Sequence, residues 1–370
     1  MAGLWDFLRS LAGGDGAPPP PPQASGGIRA DPSRSARMDE YVLARLGPGA
    51  PGVSLAIVKD SAVVHAAGYG LADLYAQEQV TAGTVFHLAS AGKQFTGLGI
   101  LMLAEEGRLD FDDPVGRHLP EVAGFGAGVT LRQLLHHTSG IRDLYDESGT
   151  EEVLSRCQRP VNDDVLRTYA DLRCPPASRG IKPGDRFAYS NSGYDLLGSV
   201  IERVSGQSYR DFFQTRVFDR LDMKDTFTFP DRRLNTRRRA AGYYDDGGDF
   251  AASEGTDLDD IVGSGSFYTT VTDLCLYDRA LATHSLVSEA SMRLALTSGR
   301  TNDGEETGYG FGWYVGTYEG MPFCDHDGDW NGNYSYICRY LDRSLSIFTM
   351  SNNPNLNLVE IANLATAVYR

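Results

Sequence analysis

The chain has 370 residues, 41% of them hydrophobic, and a formal net charge of −15. This length and apolar content allow a large buried core, arranged as one composite domain or as two domains. No lysine- or arginine-rich stripe offsets the acidic excess, which argues against a protein that binds the phosphate backbone of nucleic acid.

The first 35 residues predict a tail outside the folded domain. A short helix near the start would place four apolar side chains on one face: Leu4, Trp5, Leu8 and Leu11. Such a face suits weak contact of residues 1–12 with a membrane surface or a partner protein. A linker rich in glycine and proline follows, with five consecutive prolines at 18–22. A secretory signal is poorly supported because Asp6 and Arg9 interrupt the apolar run, so we expect a cytoplasmic protein or one attached peripherally to a membrane.

The folded part is expected to begin with a helix and two strands. The helix is predicted over Ala36–Leu46, and the strands over Val53–Val58 and Ala62–Tyr69. A turn around Lys59–Asp60 would join the two strands as antiparallel neighbours.

A longer helix is predicted from Ser90 to Glu106. Its residues 98–104 are apolar on nearly every face, which is typical of a buried central helix. Gly107 can adopt the left-handed conformation that ends a helix.

Between Pro114 and Asp260 the pattern changes to helical stretches separated by loops. The predicted helices are Leu131–His136, Asn162–Leu172, Tyr194–Val204 and Tyr209–Val217. Two more helices follow, at Thr272–Ala282 and Ser288–Thr297. The remaining predicted elements are strands at Gly310–Gly316, Tyr334–Tyr340 and Leu345–Met350, and a last helix at Leu358–Tyr369.

Strands near both ends of the chain, with helices between them, predict an α+β fold. An antiparallel sheet formed by the N- and C-terminal segments would be flanked by helices, and a mainly helical subdomain would be inserted. We assign residues 36–113 and 261–370 to the α/β part and residues 114–260 to the helical part. The cleft between the layers is the expected functional site.

The acidic segment from Asp325 to Asn333 imitates the start of a calcium-binding loop. Asp327, Asp329, Asn331 and Gly332 match its first ligand positions, but the position that needs a glutamate is Cys338, and a thiol is a poor ligand for calcium. The flanking residues alternate like strands, whereas such a loop joins helices. We therefore predict no metal ion and no cofactor.

The cysteines and the adjacent histidines give no metal or disulfide pattern. Neighbouring residues on a regular helix, such as His136 and His137, cannot both face one ion. Five cysteines without CxxC spacing are typical of reduced core residues: Cys157, Cys174, Cys275, Cys324 and Cys338.

Three short motifs carry residues suited to nucleophilic chemistry. Ser90 and Lys93 lie three apart at the start of the buried helix, so the amine can approach the hydroxyl. An N-cap serine beside a solvated lysine is the alternative explanation of this pair. Tyr189-Ser-Asn191 opens another helix, and His326-Asp-Gly328 lies in the acidic strand.

The order Ser-x-x-Lys, Tyr-x-Asn, His-x-Gly resembles the serine beta-lactamase and penicillin-binding superfamily. The resemblance is closest to its class C-like branch, which includes beta-lactamases, D-stereospecific peptidases and family VIII esterases, and it runs from about Arg37 to the C-terminus. Four further segments support it: Val129–Gly140, Asn191–Gly198, Gly310–Trp313 and Met350–Asn353.

The resemblance implies a catalytic group of Ser90, Lys93, Tyr189 and His326. Ser90 would be acylated, Lys93 would have a lowered pKa and act as base, and Tyr189 would return a proton to the leaving group and then activate water. The implied substrate-binding residues are Asn191, Asp327, Gly328 and Asp329, with the backbone N–H groups of Ser90 and Asp329 as the oxyanion hole.

The chain departs from the superfamily in its third motif. His326-Asp327-Gly328 replaces the common Lys-Thr-Gly, which helps to hold a substrate carboxylate. Asp327 and the nearby Asp325 and Asp329 would repel that carboxylate. We therefore expect a small-molecule ester or amide that is neutral or carries an amine for Asp327 to pair.

Two alternatives remain open at the level of sequence. The first is a penicillin-binding D-peptidase or a beta-lactamase, as in many members of the superfamily. The second is a catalytically inactive binding protein that uses its N-terminal tail to reach a membrane or a partner. The sequence does not indicate an oligomeric state.

Overall fold

Residues 21–171, 181–228 and 238–370 are described by a computed structural model. The predicted apolar helix near the N-terminus, three of the five consecutive prolines and Cys174 lie outside these ranges. Within the ranges, every helix is too short or too polar to cross a lipid bilayer.

The strands of the described residues are numbered in chain order. They are β1 Ile28–Arg29, β2 Val53–Lys59, β3 Ala62–Tyr69, β4 Leu71–Asp73, β5 Glu78–Gln79, β6 Phe86–His87, β7 Phe227–Thr228, β8 Tyr243–Asp246, β9 Asp249–Ala252, β10 Phe267–Thr269, β11 Tyr314–Tyr318, β12 Met321–Trp330, β13 Asn333–Tyr340 and β14 Leu345–Ser351. Seven of them form the central antiparallel sheet, in the order β1-β3-β2-β14-β13-β12-β11. A smaller sheet, β6-β10-β7, adjoins it.

The helices connect and cover the sheets. They are α1 Pro32–Leu43, α2 Lys93–Glu105, α3 Val115–His118, α4 Ala123–Gly126, α5 Leu131–Leu135, α6 Glu147–Arg156, α7 Asn162–Asp171, α8 Asn191–Ser205, α9 Tyr209–Phe213, α10 Asp219–Leu221, α11 Val271–Ala282, α12 Glu289–Ala295 and α13 Leu358–Tyr369. Sheet strands from both ends of the chain with helices α3 to α10 between them confirm the predicted α+β class. The residue boundaries assigned to the helical part stay a prediction.

Strand β2 is buried on both faces, which explains its almost continuous apolar sequence. Leu55 and Ile57 pack in the core that α1 and α13 cover, together with Met38. Ala56 and Val58 belong to the larger core on the opposite face, which contains the apolar residues of α2. The sheet is therefore sandwiched between two helical layers, and the apolar residues of α2 lie in the larger of the two cores.

Helix α2 is buried along eleven of its 13 residues, as its apolar sequence predicts. Its glycines admit close neighbours, since a Cβ added at Gly97 would lie 2.5 Å from the carbonyl oxygen of Phe311. Gly107 follows the helix with a φ of +68°, so the predicted left-handed end is confirmed.

The predicted linker is too long, because the chain enters the sheet before Ser35. Ile28–Arg29 pairs with β3, and α1 begins at Pro32, where the Asp31 side chain accepts hydrogen bonds from two backbone N–H groups. Arg29 also donates to Asp39 at 2.9 Å. The pairing with β3 is a tertiary feature that composition does not reveal, whereas Asp31 followed by Pro32 is a local signal for the start of a helix.

The strand predicted from Gly310 is wrong for its first four residues. Strand β11 begins only at Tyr314, because Gly312 has a φ of +80° and turns the chain against the start of α2. A Cβ added at Gly312 would lie 2.5 Å from the carbonyl carbon and oxygen of Lys93. Residues 310–313 therefore pack closely against the backbone of α2 and are not part of the sheet.

The described cysteines are free. Cys275, Cys324 and Cys338 are buried, as predicted for reduced core residues, and Cys157 is half-buried.

A methyl group added at Gly97 should separate α2 from the segment that contains Phe311. We expect Gly97→Ala to lower the free energy of unfolding by about 2 kcal/mol, because a packed core relaxes poorly around an added group. Urea denaturation followed by circular dichroism measures this change.

The matched control is Gly124→Ala, at an exposed position of the short helix α4. An added Cβ there meets no atom within 4 Å, so stability should be unchanged or higher by up to about 1 kcal/mol, the helix propensity of alanine over glycine. Equal losses in both variants would contradict the packing argument.

Candidate active site

Ser90 lies in a 3₁₀ turn, Ala89–Gly92, which leads directly into α2. The regular helix begins at Lys93, three residues later than the sequence predicts. Ala89, just before the serine, has a φ of +51°, a conformation that non-glycine residues seldom adopt. The backbone N–H of Ala89 donates to Nδ1 of the buried His87 at 3.0 Å, which helps to hold this strained residue.

Glycines on two neighbouring segments allow close packing against the turn that carries Ser90. A Cβ added at Gly328 of β12 would lie 2.5 Å from the carbonyl oxygen of Leu88 and 3.0 Å from the Cβ of Ala89. A Cβ added at Gly265 would lie 2.8 Å from the carbonyl oxygen of Ala89. The predicted substrate-binding residue Gly328 is therefore needed at least for packing against the serine turn.

The side chain of Lys93 is completely buried and is held by three acceptors. Its Nζ lies 3.1 Å from Ser90 Oγ, 2.8 Å from Asn191 Oδ1 and 2.8 Å from the backbone oxygen of Ser264. The predicted approach of the amine to the serine hydroxyl is thus present, and the alternative of a solvated lysine is wrong.

Burial sets the protonation of Lys93. Loss of water lowers the pKa of the amine to about 7, against the charges of Asp195, Asp143 and Asp327, which raise it. Near neutral pH the amine can therefore both release and accept a proton.

Tyr189 completes the group around Ser90. The pKa of its phenol is raised well above the ordinary value, chiefly by burial, and the nearby Ser90 side chain opposes this rise. Lys93 Nζ lies 4.8 Å from the centre of the Tyr189 ring. The ring of His137 packs against Tyr189 at 4.3 Å, and its Nδ1 accepts from the backbone N–H of Ser190 at 3.1 Å.

The adjacent histidines serve separate structural contacts. His136 Nδ1 donates to the backbone oxygen of Tyr309 at 2.8 Å, whereas His137 supports the backbone that carries Tyr189. They do not converge on a common point. Among the described residues, no group of three His, Cys, Asp or Glu side chains could hold a metal ion.

Asn191 is the first residue of α8, and the helix start is held by Asp143. The Asp143 carboxylate accepts from the backbone N–H groups of Asn191 at 3.3 Å and Ser192 at 3.1 Å. Because Oδ1 of Asn191 accepts from Lys93, its Nδ2 group is the part of the amide that remains to donate to a ligand.

His326 lies in the second layer of the site, since both of its ring nitrogens are occupied. Nδ1 donates to the backbone oxygen of Asp327 at 2.6 Å, and Nε2 accepts from the Tyr309 hydroxyl at 2.9 Å. Burial, and then the charge of Lys93, lower the pKa of His326 to about 3. A neutral ring with this arrangement positions the strand beside Tyr189, and neither nitrogen is available to exchange a proton with Ser90.

The three acidic residues of β12 have different surroundings. Asp325 accepts from the Tyr336 hydroxyl at 2.8 Å, and burial raises its pKa to about 6. The side chain of Asp327 is 73% exposed. Partial burial and the charge of Asp327 raise the pKa of Asp329. This segment lies in a strand paired with β13, so the calcium-loop alternative does not fit it.

A cavity of about 300 Å³ opens beside Ser90. The residues that line it come mainly from the serine turn, the start of α8, the segment before β10 and the end of β12. Its lining residues are His87, Ala89, Ser90, Tyr145, Thr150, Asn191, Leu258, Asp259, Ile261, Ser264, Gly265, Ser266, Asp329 and Trp330.

Sequence reasoning missed Asp195, a carboxylate buried beneath Lys93. Asp195 Oδ1 accepts from the backbone N–H of Ser264 at 3.2 Å, and the carbonyl oxygen of Ser264 accepts from Lys93. Burial raises the pKa of Asp195, and the charge of Lys93 opposes that shift. Its position four residues after Asn191, on the same face of a helix, was the signal in the sequence.

Comparison with known proteins identifies the kind of fold that carries this site. A family model described as beta-lactamase matches residues 38–368. Penicillin-binding protein 4* of Bacillus subtilis (strain 168) is 33% identical in an alignment of 326 residues that covers 83% of this chain and 69% of that protein. Protein flp of Staphylococcus aureus (strain MW2) is 31% identical over 85% of this chain, which spans only 60% of that protein.

The fold is also similar to a solved structure, the octameric penicillin-binding protein homologue from Pyrococcus abyssi. The TM-score is 0.79 and the sequence identity 28%, over 90% of this chain and 76% of that chain. The matched family segment includes all the site residues from Ser90 to Asp329.

The reactivity of Ser90 should depend on pH through Lys93 and its neighbour Asp195. The second-order rate of labelling by a fluorophosphonate should rise as the pH passes about 7, where the amine loses its proton. In Asp195→Asn the negative charge that raises the pKa of Lys93 is absent, so the midpoint should move to lower pH by about 1 unit.

Asparagine keeps an acceptor for the N–H of Ser264, so the site geometry should survive in this variant. Glu151→Gln, which removes an exposed charge from α6, should leave the midpoint unchanged. A midpoint that is the same in Asp195→Asn and the native protein would show that Asp195 does not act on the base.

Proposed function

Because the chain belongs to the beta-lactamase family, within the superfamily of serine beta-lactamases and penicillin-binding proteins, we propose that it is a serine hydrolase. It acts through an acyl-enzyme on a small ester or amide that is neutral or carries an amine. One observation carries this proposal: a fully buried Lys93 amine lies 3.1 Å from Ser90 Oγ, with the ring of Tyr189 beside the same amine. No cofactor is needed for this chemistry.

In the acylation step, Ser90 Oγ attacks the substrate carbonyl while Lys93 takes the serine proton. The lowered pKa of Lys93 supports this role, since an amine of ordinary pKa would be protonated at neutral pH. The backbone N–H groups of Ser90 and Asp329 stabilise the oxyanion. Asn191 donates from Nδ2 to the acyl part of the substrate.

Tyr189 passes the proton onward to the leaving group. Burial favours the neutral phenol, which can donate its proton as it receives one from Lys93. In the second step the same pair accepts a proton from water, which then attacks the acyl-enzyme. His326 is a positioning residue that supports the strand next to Tyr189.

The charges around Ser90 support a substrate without a carboxylate near the scissile bond. Asp259 and Asp329 line the cavity, and none of the described lining residues is a lysine or arginine. Placing an anionic group about 4 Å from one carboxylate costs about 1 kcal/mol in water and several times more in a partly dry site. Asp327 is largely solvated, so its repulsion of an anionic substrate group is nearer the value in water.

A second candidate is a penicillin-binding D-peptidase or a beta-lactamase. The name of the Bacillus subtilis relative, at 33% identity, favours it, whereas the carboxylates oppose the binding of an anionic penicillin. A third candidate, an inactive binding protein, is opposed by the close Ser90, Lys93 and Tyr189 group.

Four reagents separate these candidates. A fluorophosphonate should label the native protein at Ser90, and Ser90→Ala should abolish labelling and lower esterase activity at least about 10³-fold. The native protein should hydrolyse p-nitrophenyl butyrate faster than a chromogenic cephalosporin. Faster cephalosporin turnover with covalent labelling by a fluorescent penicillin would establish the second candidate, and failure of the fluorophosphonate to label would establish the third.

Loss of the Tyr189 hydroxyl should affect the two steps unequally. In Tyr189→Phe, we expect kcat for p-nitrophenyl butyrate to fall by about 10²-fold or more, because water is no longer activated. Acylation should persist, since p-nitrophenolate leaves without a proton. Rapid mixing should therefore reveal a burst of about one p-nitrophenolate per enzyme.

The control for this variant is Tyr314→Phe, which changes a half-buried tyrosine packed against Tyr309 and His326. It should change kcat by less than about threefold, because its hydroxyl has no part in the proposed proton path. Loss of the burst together with turnover in Tyr189→Phe would mean that Tyr189 is needed for acylation itself.

A further inference from the structure

One wall of the cavity beside Ser90 combines negative charge with aromatic surface, and the proposed mechanism uses neither. We propose that this wall, formed by Asp259, Asp329, Tyr145, Trp330 and Ser266, binds an ammonium group on the acyl part of the substrate. This inference rests on the proposed function, and it moves the amine partner from the solvated Asp327 to the cavity.

The two carboxylates are unneutralised. Asp259 Oδ1 accepts from Trp330 Nε1 and Asn331 Nδ2, both at 2.8 Å, and these neutral donors fix its position without cancelling its charge. None of the ion pairs formed among the described residues includes Asp259 or Asp329. A cation in the cavity would supply the missing opposite charge.

Two aromatic rings form the adjoining surface. The rings of Tyr145 and Trp330 lie 5.9 Å apart between centres, inclined at 69°. Both residues line the cavity. An ammonium group is attracted to the face of such rings, most strongly to tryptophan. The hydrogen bond from Trp330 Nε1 to Asp259 also fixes the indole beside the carboxylate.

Ser266 gives an independent indication of a ligand. The residue is only 4% exposed and lines the cavity, and its Oγ has no hydrogen-bond partner among the described residues. A buried hydroxyl without a partner is unfavourable in the free protein. An ammonium N–H would be a suitable donor to it.

The position of Tyr189 indicates which part of the substrate enters the cavity. Tyr189 is not among the described residues that line it, although in the proposed mechanism it supplies the proton to the leaving group. The leaving group therefore departs on the Tyr189 side. The acyl group, attached to Ser90, occupies the cavity, whose volume of about 300 Å³ suits a short acyl chain.

A pair of matched esters tests this assignment. p-Nitrophenyl β-alaninate carries an ammonium group where p-nitrophenyl butyrate carries a methyl group. After each kcat/KM is divided by the rate of spontaneous hydrolysis, the native enzyme should prefer the β-alaninate by about 10-fold at pH 7. A ratio near one would overturn the proposal.

Variants of the wall should remove the preference. Asp329→Asn should lower the ratio by about 10-fold, and Asp259→Asn should lower it in the same direction. Ser266→Ala should lower the ratio without lowering the melting temperature, because no hydrogen bond of the free protein is lost. Asp257→Asn, which removes an exposed charge outside the cavity lining, should leave the ratio unchanged within twofold. An unchanged ratio in Asp329→Asn would contradict the assignment.

A binding experiment separates failure of this inference from failure of the proposed function. Calorimetry with β-alaninamide and butyramide on Ser90→Ala requires no catalysis. Tighter binding of β-alaninamide that Asp329→Asn removes would support the subsite even if neither ester were hydrolysed. Equal binding of the two amides would overturn it, whatever the esterase activity.

Discussion

Burial of the Lys93 amine is the constraint on which the arrangement of this site depends. An amine removed from water must find its acceptors within the protein, and here they come from three distant segments: the turn before α2, the start of α8 and the segment before β10. The same contacts that satisfy the lysine place the hydroxyl of Ser90 and the amide of Asn191 around one cavity. The contacts that stabilise the buried lysine are therefore the same contacts that fix the geometry of the reactive groups.

The low-polarity surroundings also bias the protonation of Lys93 and Tyr189. Burial lowers the pKa of Lys93 and raises that of Tyr189, so both groups are favoured in their uncharged forms. Neighbouring carboxylates limit the shift of the amine, and Asp195 is the largest of these opposing charges. The base therefore carries less charge at neutral pH than an ordinary lysine would, and in the proposed function the acidic cavity wall selects the substrate.

Much of this could be predicted from residue types and spacing. Ser90 and Lys93 stand one helical turn apart, and the long apolar run after them predicts a buried helix. Ser264 and His137 could not be assigned in the same way, because their partners lie far along the chain, and Asp195 has only its spacing of four residues from Asn191 as a signal. Gly312 was misplaced in a strand, since its role is a close approach to Lys93. The acidic segment lies in the hairpin of β12 and β13 and not between helices, as the alternating residues after it predict.

The short strand β1 has a consequence for the whole sheet. Ile28 and Arg29 pair with β3, which would otherwise be the outermost strand and would expose an unpaired row of backbone amides and carbonyls. Such rows recruit other chains and promote aggregation. Residues just after the proline-rich segment thus protect the edge of the central sheet. Truncating the protein to the start of α1 would remove β1 and leave β3 as an open edge strand.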